Sequence, residues 1–158
     1  MQRFTSTAIL TALFTATIST ALAQMPAQKA SAIIHSAAYP NRVKVTSATY
    51  HIGVQVGNVS LSELRVRIPK DAPARLRVGQ VAVTEAGKPV NATSSFDGKE
   101  ITIAFTQPVA AGTVLEIDLN GVRTSDLLGH TWQFPIYGRS VGSNQEISLG
   151  TARIQTYK

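Results

Sequence analysis

Three histidines are the side chains of this 158-residue chain that could hold a transition metal. His35, His51 and His130 are not spaced as a metal-binding pair, so a copper or zinc site would require at least two of them to converge in the fold. His130 follows Asp126 by four residues, and that carboxylate could orient its imidazole. Neither the spacing of the three histidines nor that of Asp126 and His130 is typical of a metal site, so we predict no metal ligands.

One serine lies in a motif that resembles that of serine hydrolases. The segment Gly138-Arg139-Ser140-Val141-Gly142 matches the pattern Gly-x-Ser-x-Gly, and His130 and Asp126 supply the other two residue types of a catalytic triad. Such a nucleophile needs a strand-to-helix turn, however, and the chain contains almost no helical periodicity. The chain has no cysteine, which excludes a thiol nucleophile. We therefore predict no catalytic residue, no enzyme activity and no cofactor.

Oxygen donors cluster near one predicted turn. Glu116, Asp118, Asn120 and Asp126 are of the types that bind calcium, but no Asp-x-Asp-x-Asp-Gly loop is present. Glu116 and Asp118 alternate with apolar residues, which predicts that they face solvent on a strand.

A group of cations is the densest charge feature, in a chain with a formal net charge of +6. It forms a possible anion-binding stripe, which consists of Arg65, Arg67, Lys70, Arg75 and Arg77. Its partner would be an anionic envelope glycan or a lipid headgroup. The favoured alternative is that these charges keep an edge strand soluble and unpaired. Nucleic acid is not predicted, because no RNA-binding aromatic pattern accompanies the cations.

Strict alternation of apolar and polar residues is the main structural signal. It predicts half-buried strands rather than helices. The alternating segments lie at 50–56, 64–68, 81–83, 101–105, 115–119 and 132–136, with a last strand near 147–157. Trp132, Phe134 and Tyr137 could form a sugar-binding platform, but an aromatic strand in a β domain is more often part of the core.

Turn residues separate these segments. Glu85-Ala86-Gly87-Lys88, Asp97-Gly98 and Asn120-Gly121 tolerate positive φ and predict tight hairpins. Seven to nine strands at this spacing predict an all-β fold, an antiparallel immunoglobulin-like β-sandwich, with a small β-barrel as the alternative.

The N-terminus predicts export. Arg3, an apolar stretch and the exit Ala21-Leu22-Ala23 are typical of a signal peptide over residues 1–23. Residues 24–45 are predicted to be a linker or an edge strand, and residues 46–158 a single β-sandwich domain. After cleavage we expect no transmembrane segment, and a location that is periplasmic or extracellular.

Two resemblances follow from these segments. SATYHIGVQV, LRVRIPKDAPARLRVGQVAV, FDGKEITIAFTQPVAAGTVLEIDLNGV and GHTWQFPIYG resemble exported cyanobacterial proteins that share the domain of unknown function numbered 2808, over about residues 46–156. That resemblance implies export and a β domain, and no site residues. Residues 64–119 also resemble copper-carrying β-sandwiches of the periplasm, but the chain lacks their N-terminal His and any Met-rich segment.

Together, these features favour a non-catalytic binding or structural component of the cell envelope. The alternative is a periplasmic copper-carrying β-sandwich that would use His35, His51 or His130.

Overall fold

The computed structural model describes residues 30–43, 45–72, 76–123 and 129–158. The predicted signal peptide, Arg75 of the cationic stripe and Asp126 lie outside the described residues. Within these ranges, no helix meets the length and the hydropathy that a membrane span requires.

The described chain forms ten strands. Their bounds are β1 Ala32–Tyr39, β2 Ala48–Gln55, β3 Leu61–Arg67, β4 Gln80–Glu85, β5 Lys88–Pro89, β6 Ala92–Phe96, β7 Glu100–Val109, β8 Val114–Val122, β9 Thr131–Ser140 and β10 Glu146–Gln155. They make two five-stranded antiparallel sheets, with the orders β1-β2-β8-β4-β5 and β10-β9-β3-β7-β6. The predicted antiparallel β-sandwich is therefore confirmed, and the β-barrel alternative is wrong because the strands form two sheets.

The core lies between the two sheets. Each alternating segment points every second side chain inward, which buries residues such as Ile52, Leu64, Ile117 and Phe134. Tyr50 of β2 contacts Phe134 of β9 edge to face, with ring centroids 5.9 Å apart, so the two sheets are joined by an aromatic pair. Burial raises the pKa of the Tyr50 hydroxyl to about 12.

The segment before residue 46 contains β1, which is an edge strand of its sheet. Ser36 of β1 joins the two sheets on this side, because its Oγ donates to the carbonyl of Arg153 in β10 and accepts from the N–H of the same residue, both at 2.9 Å. The sandwich is thus closed along the β1 and β10 side.

Two predictions about individual strands are wrong. Asn120-Gly121 is not a hairpin turn but lies inside β8, where the register shifts against β2 and Gly121 has φ of 64°. An extra residue with positive φ makes a β-bulge, which uses the same residue types as a tight turn. In addition, β3 is not an edge strand but the central strand of its sheet.

Candidate functional site

Arg65 and Arg67, which begin the predicted stripe, are neutralised on the outer face of their sheet. Arg65 Nη1 lies 3.4 Å from Glu100 and 3.1 Å from Glu146, and its Nε donates to Glu63. Arg67 Nε lies 3.0 Å from Glu100, and its Nη2 lies 2.7 Å from Glu146. Cross-strand pairing places Glu100 directly opposite Arg67, so the β3-β7 register itself brings these charges together.

A third arginine extends this group. Arg139 Nη1 lies 3.4 Å from Glu63. The six side chains of the ion-pair network are Glu63, Arg65, Arg67, Glu100, Arg139 and Glu146. Hydrogen bonds to Glu63 and to Glu100 raise the pKa values of Arg65 and Arg67, respectively. The network has as many carboxylates as guanidinium groups, so these arginines do not present net positive charge to a ligand.

A cleft of about 560 Å³ opens next to the network, where β3 and β9 separate. Pairing between these strands ends at Val66 and Ile136, and the next residue of β9 toward its start, Pro135, has no N–H for a ladder. The Arg67 guanidinium lies 4.0 Å from the ring centroid of Tyr137 in this cleft, a cation–π contact. Lys70, a third stripe residue, lines the same cleft.

Two arginines lie side by side at the end of the sandwich where β3 and β8 finish. Arg77 and Arg123 form an isolated antiparallel bridge, with N–H to carbonyl distances of 3.0 Å and 2.9 Å. Facing residues of such a bridge project their side chains to the same side, so two positive charges are neighbours. Among the residues described, neither has a carboxylate at ion-pair distance. Within the part of the chain that the structure describes, this pair therefore has no counter-charge like those that neutralise Arg65 and Arg67.

Other cations lie at this same end. Lys70, Leu76 and Lys99 border one cleft of about 370 Å³, which places Lys70 and Lys99 near Arg77. Arg42 bridges to Tyr157 beside the end of β10. We call this surface the basic end, and its exposed cations are Arg42, Lys70, Arg77, Lys99, Arg123 and Lys158. The exposed carboxylates described there are Asp71 and Asp97, so positive charge is in excess.

The stripe is therefore divided between two environments. Arg65 and Arg67 belong to the neutral network, whereas Lys70 and Arg77 belong to the basic end. Sequence reasoning missed Arg42, Lys99, Arg123 and Lys158 because they are far apart along the chain. Their common feature is a position at a strand end or in an adjoining turn, which strand prediction combined with topology could have shown.

Two histidines form pairs with carboxylates on the outer face of the other sheet. His35 Nε2 lies 2.9 Å from Glu116, and His51 Nδ1 lies 2.7 Å from Asp118. The prediction that Glu116 and Asp118 occupy the solvent face of a strand is confirmed. Across the described ranges, no three His, Cys, Asp or Glu side chains are grouped so that they could hold a metal ion.

His35 also covers Gly53, the residue opposite it in the β1-β2 pair. A Cβ at Gly53 would lie 2.6 Å from Nδ1 and 2.9 Å from Nε2 of His35, so a larger residue must displace the imidazole. The imidazole of His35 thus packs directly on the backbone of Gly53, and this contact requires a residue without a side chain at position 53.

We predict opposite effects of Gly53→Ala in two backgrounds. In the natural chain it should displace His35 from Glu116 and lower the free energy of unfolding by about 1 kcal/mol. With His35→Ala already present, Gly53→Ala should raise the free energy of unfolding by about 0.5 kcal/mol, because alanine loses less conformational entropy than glycine when it is fixed in a strand. Urea denaturation of the four proteins measures both effects, and equal effects in the two backgrounds would contradict the contact.

The hydrolase hypothesis is wrong. Ser140 is the last residue of β9, whereas His130 immediately precedes the first residue of the same strand. A ten-residue strand is about 30 Å long, so the two side chains cannot share a proton. Asp126, the third residue of that hypothesis, lies outside the described residues.

Comparison with known proteins identifies a family and a fold. The family model described as "Protein of unknown function (DUF2808)" matches residues 26–156. No match to this chain is found among curated proteins.

Among solved structures, domains D2 and D3 of the major pilin SpaD from Corynebacterium diphtheriae are similar to this chain. The TM-score is 0.57 at 13% identity, over 82% of this chain and 52% of the pilin structure. The chain thus spans about half of that structure. The collagen-binding domain of a Staphylococcus aureus adhesin gives 0.43 at 7% identity, over 85% of this chain and 99% of that domain. At such identities the likeness to the pilin domains concerns the fold alone.

Proposed function

The chain belongs to the DUF2808 family, and we propose that it is an exported, non-catalytic component of the cell envelope that binds an anionic partner at its basic end. The observation that carries this proposal is the Arg77–Arg123 bridge. Like charges that face each other across a bridge destabilise a fold, and no carboxylate of the described residues pairs with these two arginines, so their placement favours a ligand that supplies negative charge.

The partner that suits this surface is an extended anionic polymer or array. The cations of the basic end are spread over several strand ends and turns rather than gathered in one pocket, which fits repeated carboxylates of an acidic glycan or phosphates of lipid headgroups. The cleft beside Tyr137 adjoins this end through Lys70 and would add one aromatic and several polar contacts. Export is supported by the signal-peptide pattern of residues 1–23.

Binding of the purified protein to two probes tests the proposal. One probe is polygalacturonate, and the other is vesicles of phosphatidylglycerol, so the result distinguishes a glycan from a lipid surface. The double change Arg77→Ser with Arg123→Ser should weaken binding to the correct probe roughly tenfold at 0.15 M salt, because each cation near an anionic surface contributes up to about 1 kcal/mol.

A matched control is available at the opposite end of the sandwich. Lys88 follows the β4-β5 turn, and Lys88→Ser removes a charge without touching the basic end. This variant should bind as the natural chain does. Lys88→Ser removes one charge and the double variant removes two, so a loss of binding free energy in Lys88→Ser of half or more of that in the double variant would attribute binding to net charge and overturn the site. Absence of binding to both probes would overturn it as well.

A further inference from the structure

Strand β6 is an unprotected edge of its sheet. It pairs with β7 along one side, and no strand of the described chain lies on its other side. Residues 92–95 are all exposed, and Phe96 is half-buried. An antiparallel edge of this length offers a template on which a further strand can add.

The other edges of the sandwich differ from β6. The edge strand β5 has only two residues, Lys88 and Pro89, and a lysine and a proline are the residue types that block strand addition. The edges β1 and β10 are held together by the Ser36 hydrogen bonds to Arg153. In contrast, β6 has the sequence ATSSF, with no charge and no proline, and it pairs with β7 without a register shift.

The hydrogen-bonding groups that β6 leaves free can be assigned from its ladder. Thr106 N–H donates to the Asn91 carbonyl at 3.0 Å, and Asp97 N–H donates to the Glu100 carbonyl at 3.3 Å. In an antiparallel sheet, successive residues direct their N–H and C=O groups alternately to the strand on one side and to the strand on the other side. Since Asn91 and Asp97 bond to β7, the odd-numbered residues of this segment bond to β7. The N–H and C=O groups of Ala92, Ser94 and Phe96 therefore point away from the sheet.

We propose that β6 pairs antiparallel with β6 of a second copy of this chain, about a two-fold axis at Ser94. In this register Ser94 faces Ser94 of the other copy, and Ala92 faces Phe96, so every free edge residue is paired with another free edge residue. Each facing pair of this kind exchanges two hydrogen bonds. An isologous contact of this type closes as a dimer and leaves no further β6 edge.

The charges and apolar residues near β6 agree with this register. Asp97 faces Asn91 rather than the Asp97 of the other copy, so no like charges oppose each other along the strand. Val81, Val90 and Phe96, which pack partly exposed against the core, lie on this open side of the sandwich, where a cleft of about 160 Å³ separates β4 from β6. A second copy would extend the sheet and cover this side.

Sedimentation of the purified protein tests the dimer. Ser94→Pro removes a free N–H but no bond to β7, so circular dichroism should be unchanged while the dimer weakens at least about tenfold. The matched control Ser95→Ala changes an outward-facing side chain and should leave the dimer intact. A natural chain that is monomeric from about 1 to 100 μM, the concentration range in which a weak specific dimer would form, would overturn the proposal.

Cysteine cross-linking tests the register, since the natural chain has no cysteine. Ser94→Cys places two thiols opposite each other at about 5.5 Å between Cα atoms, within the range of a disulfide. Ser95→Cys alone places them about 8 Å apart, which is too far, whereas a mixture of Ser95→Cys and Thr93→Cys chains brings facing residues to about 4.5 Å.

The expected result is a covalent dimer from Ser94→Cys and a mixed dimer from the Thr93→Cys and Ser95→Cys chains, each forming at least about tenfold faster than the Ser95→Cys dimer. Equal rates for all three would overturn the register. Dimerisation that survives Ser94→Pro would overturn the β6 interface and assign the dimer to another surface.

Discussion

Replacing Phe134 by alanine is expected to lower the free energy of unfolding by about 3–5 kcal/mol. The side chain is 1% exposed and lies between the two sheets. Its removal deletes the edge-to-face contact with Tyr50 and leaves a cavity that the strands on either side cannot fill, because their backbones are held in register by their neighbours. A loss of this size is a large part of the stability of an ordinary domain.

Urea denaturation measures this effect, and the fluorescence of Trp132, the only tryptophan of the chain, reports on the same strand. Gln133→Ala is the matched control, because Gln133 neighbours Phe134 in β9 but is exposed on the outer face. We expect the control to change the free energy of unfolding by less than about 0.5 kcal/mol. A similar small change in Phe134→Ala would show that the aromatic pair does not join the two sheets.

The fold could be predicted from the sequence wherever strands are half-buried. Alternation at Tyr50, Ile52 and Val54 follows from one face packing on the core, and the same pattern identified β7, β8 and β9. In contrast, β6 carries almost no apolar signal, since four of its five residues are exposed and only Phe96 packs against the core. A strand that contributes mainly hydrogen bonds and a single apolar side chain has no hydrophobic period.

Strand order was the second property that the sequence pattern could not show. The outward arginines at 65 and 67 are typical of an edge strand, yet β3 is central. Their charge is tolerated there because Glu100 and Glu146 come from β7 and β10, strands that are distant in sequence. Charge balance across a sheet depends on which strands are neighbours, and neighbouring strands can be far apart in the sequence.

The candidate site was predictable in part for the same reason. The sequence predicts Lys70 and Arg77 as members of one anion-binding stripe, and both lie at the basic end. Arg123 joins Arg77 only through a bridge between residues that are 46 positions apart. A local cluster in the sequence therefore indicated the region, whereas the like-charge pair that carries the proposal required the structure.

Arg65→Met is the second change from which we expect a large effect, a loss of about 2–3 kcal/mol. Arg65 contacts Glu63, Glu100 and Glu146, whose side chains are only 15–28% exposed. Removing one member of a buried ionic group costs about 3–5 kcal/mol, and the remaining solvent exposure reduces that figure here. Without Arg65, the cations that the described residues leave beside the three carboxylates are Arg67 and Arg139, so like-charge repulsion is added to the lost contacts.

Equilibrium unfolding in low and high salt separates repulsion from packing. In Arg65→Met, raising the salt from about 0.05 to 0.5 M should recover part of the lost stability, because screening acts on the uncompensated carboxylates. Arg153→Met is the control, since Arg153 is exposed and has no ion pair to the described residues, and it should change the free energy of unfolding by less than about 0.5 kcal/mol. A salt-independent loss in Arg65→Met would mean that the arginine acts by packing its aliphatic part, and that the three glutamates do not depend on its charge.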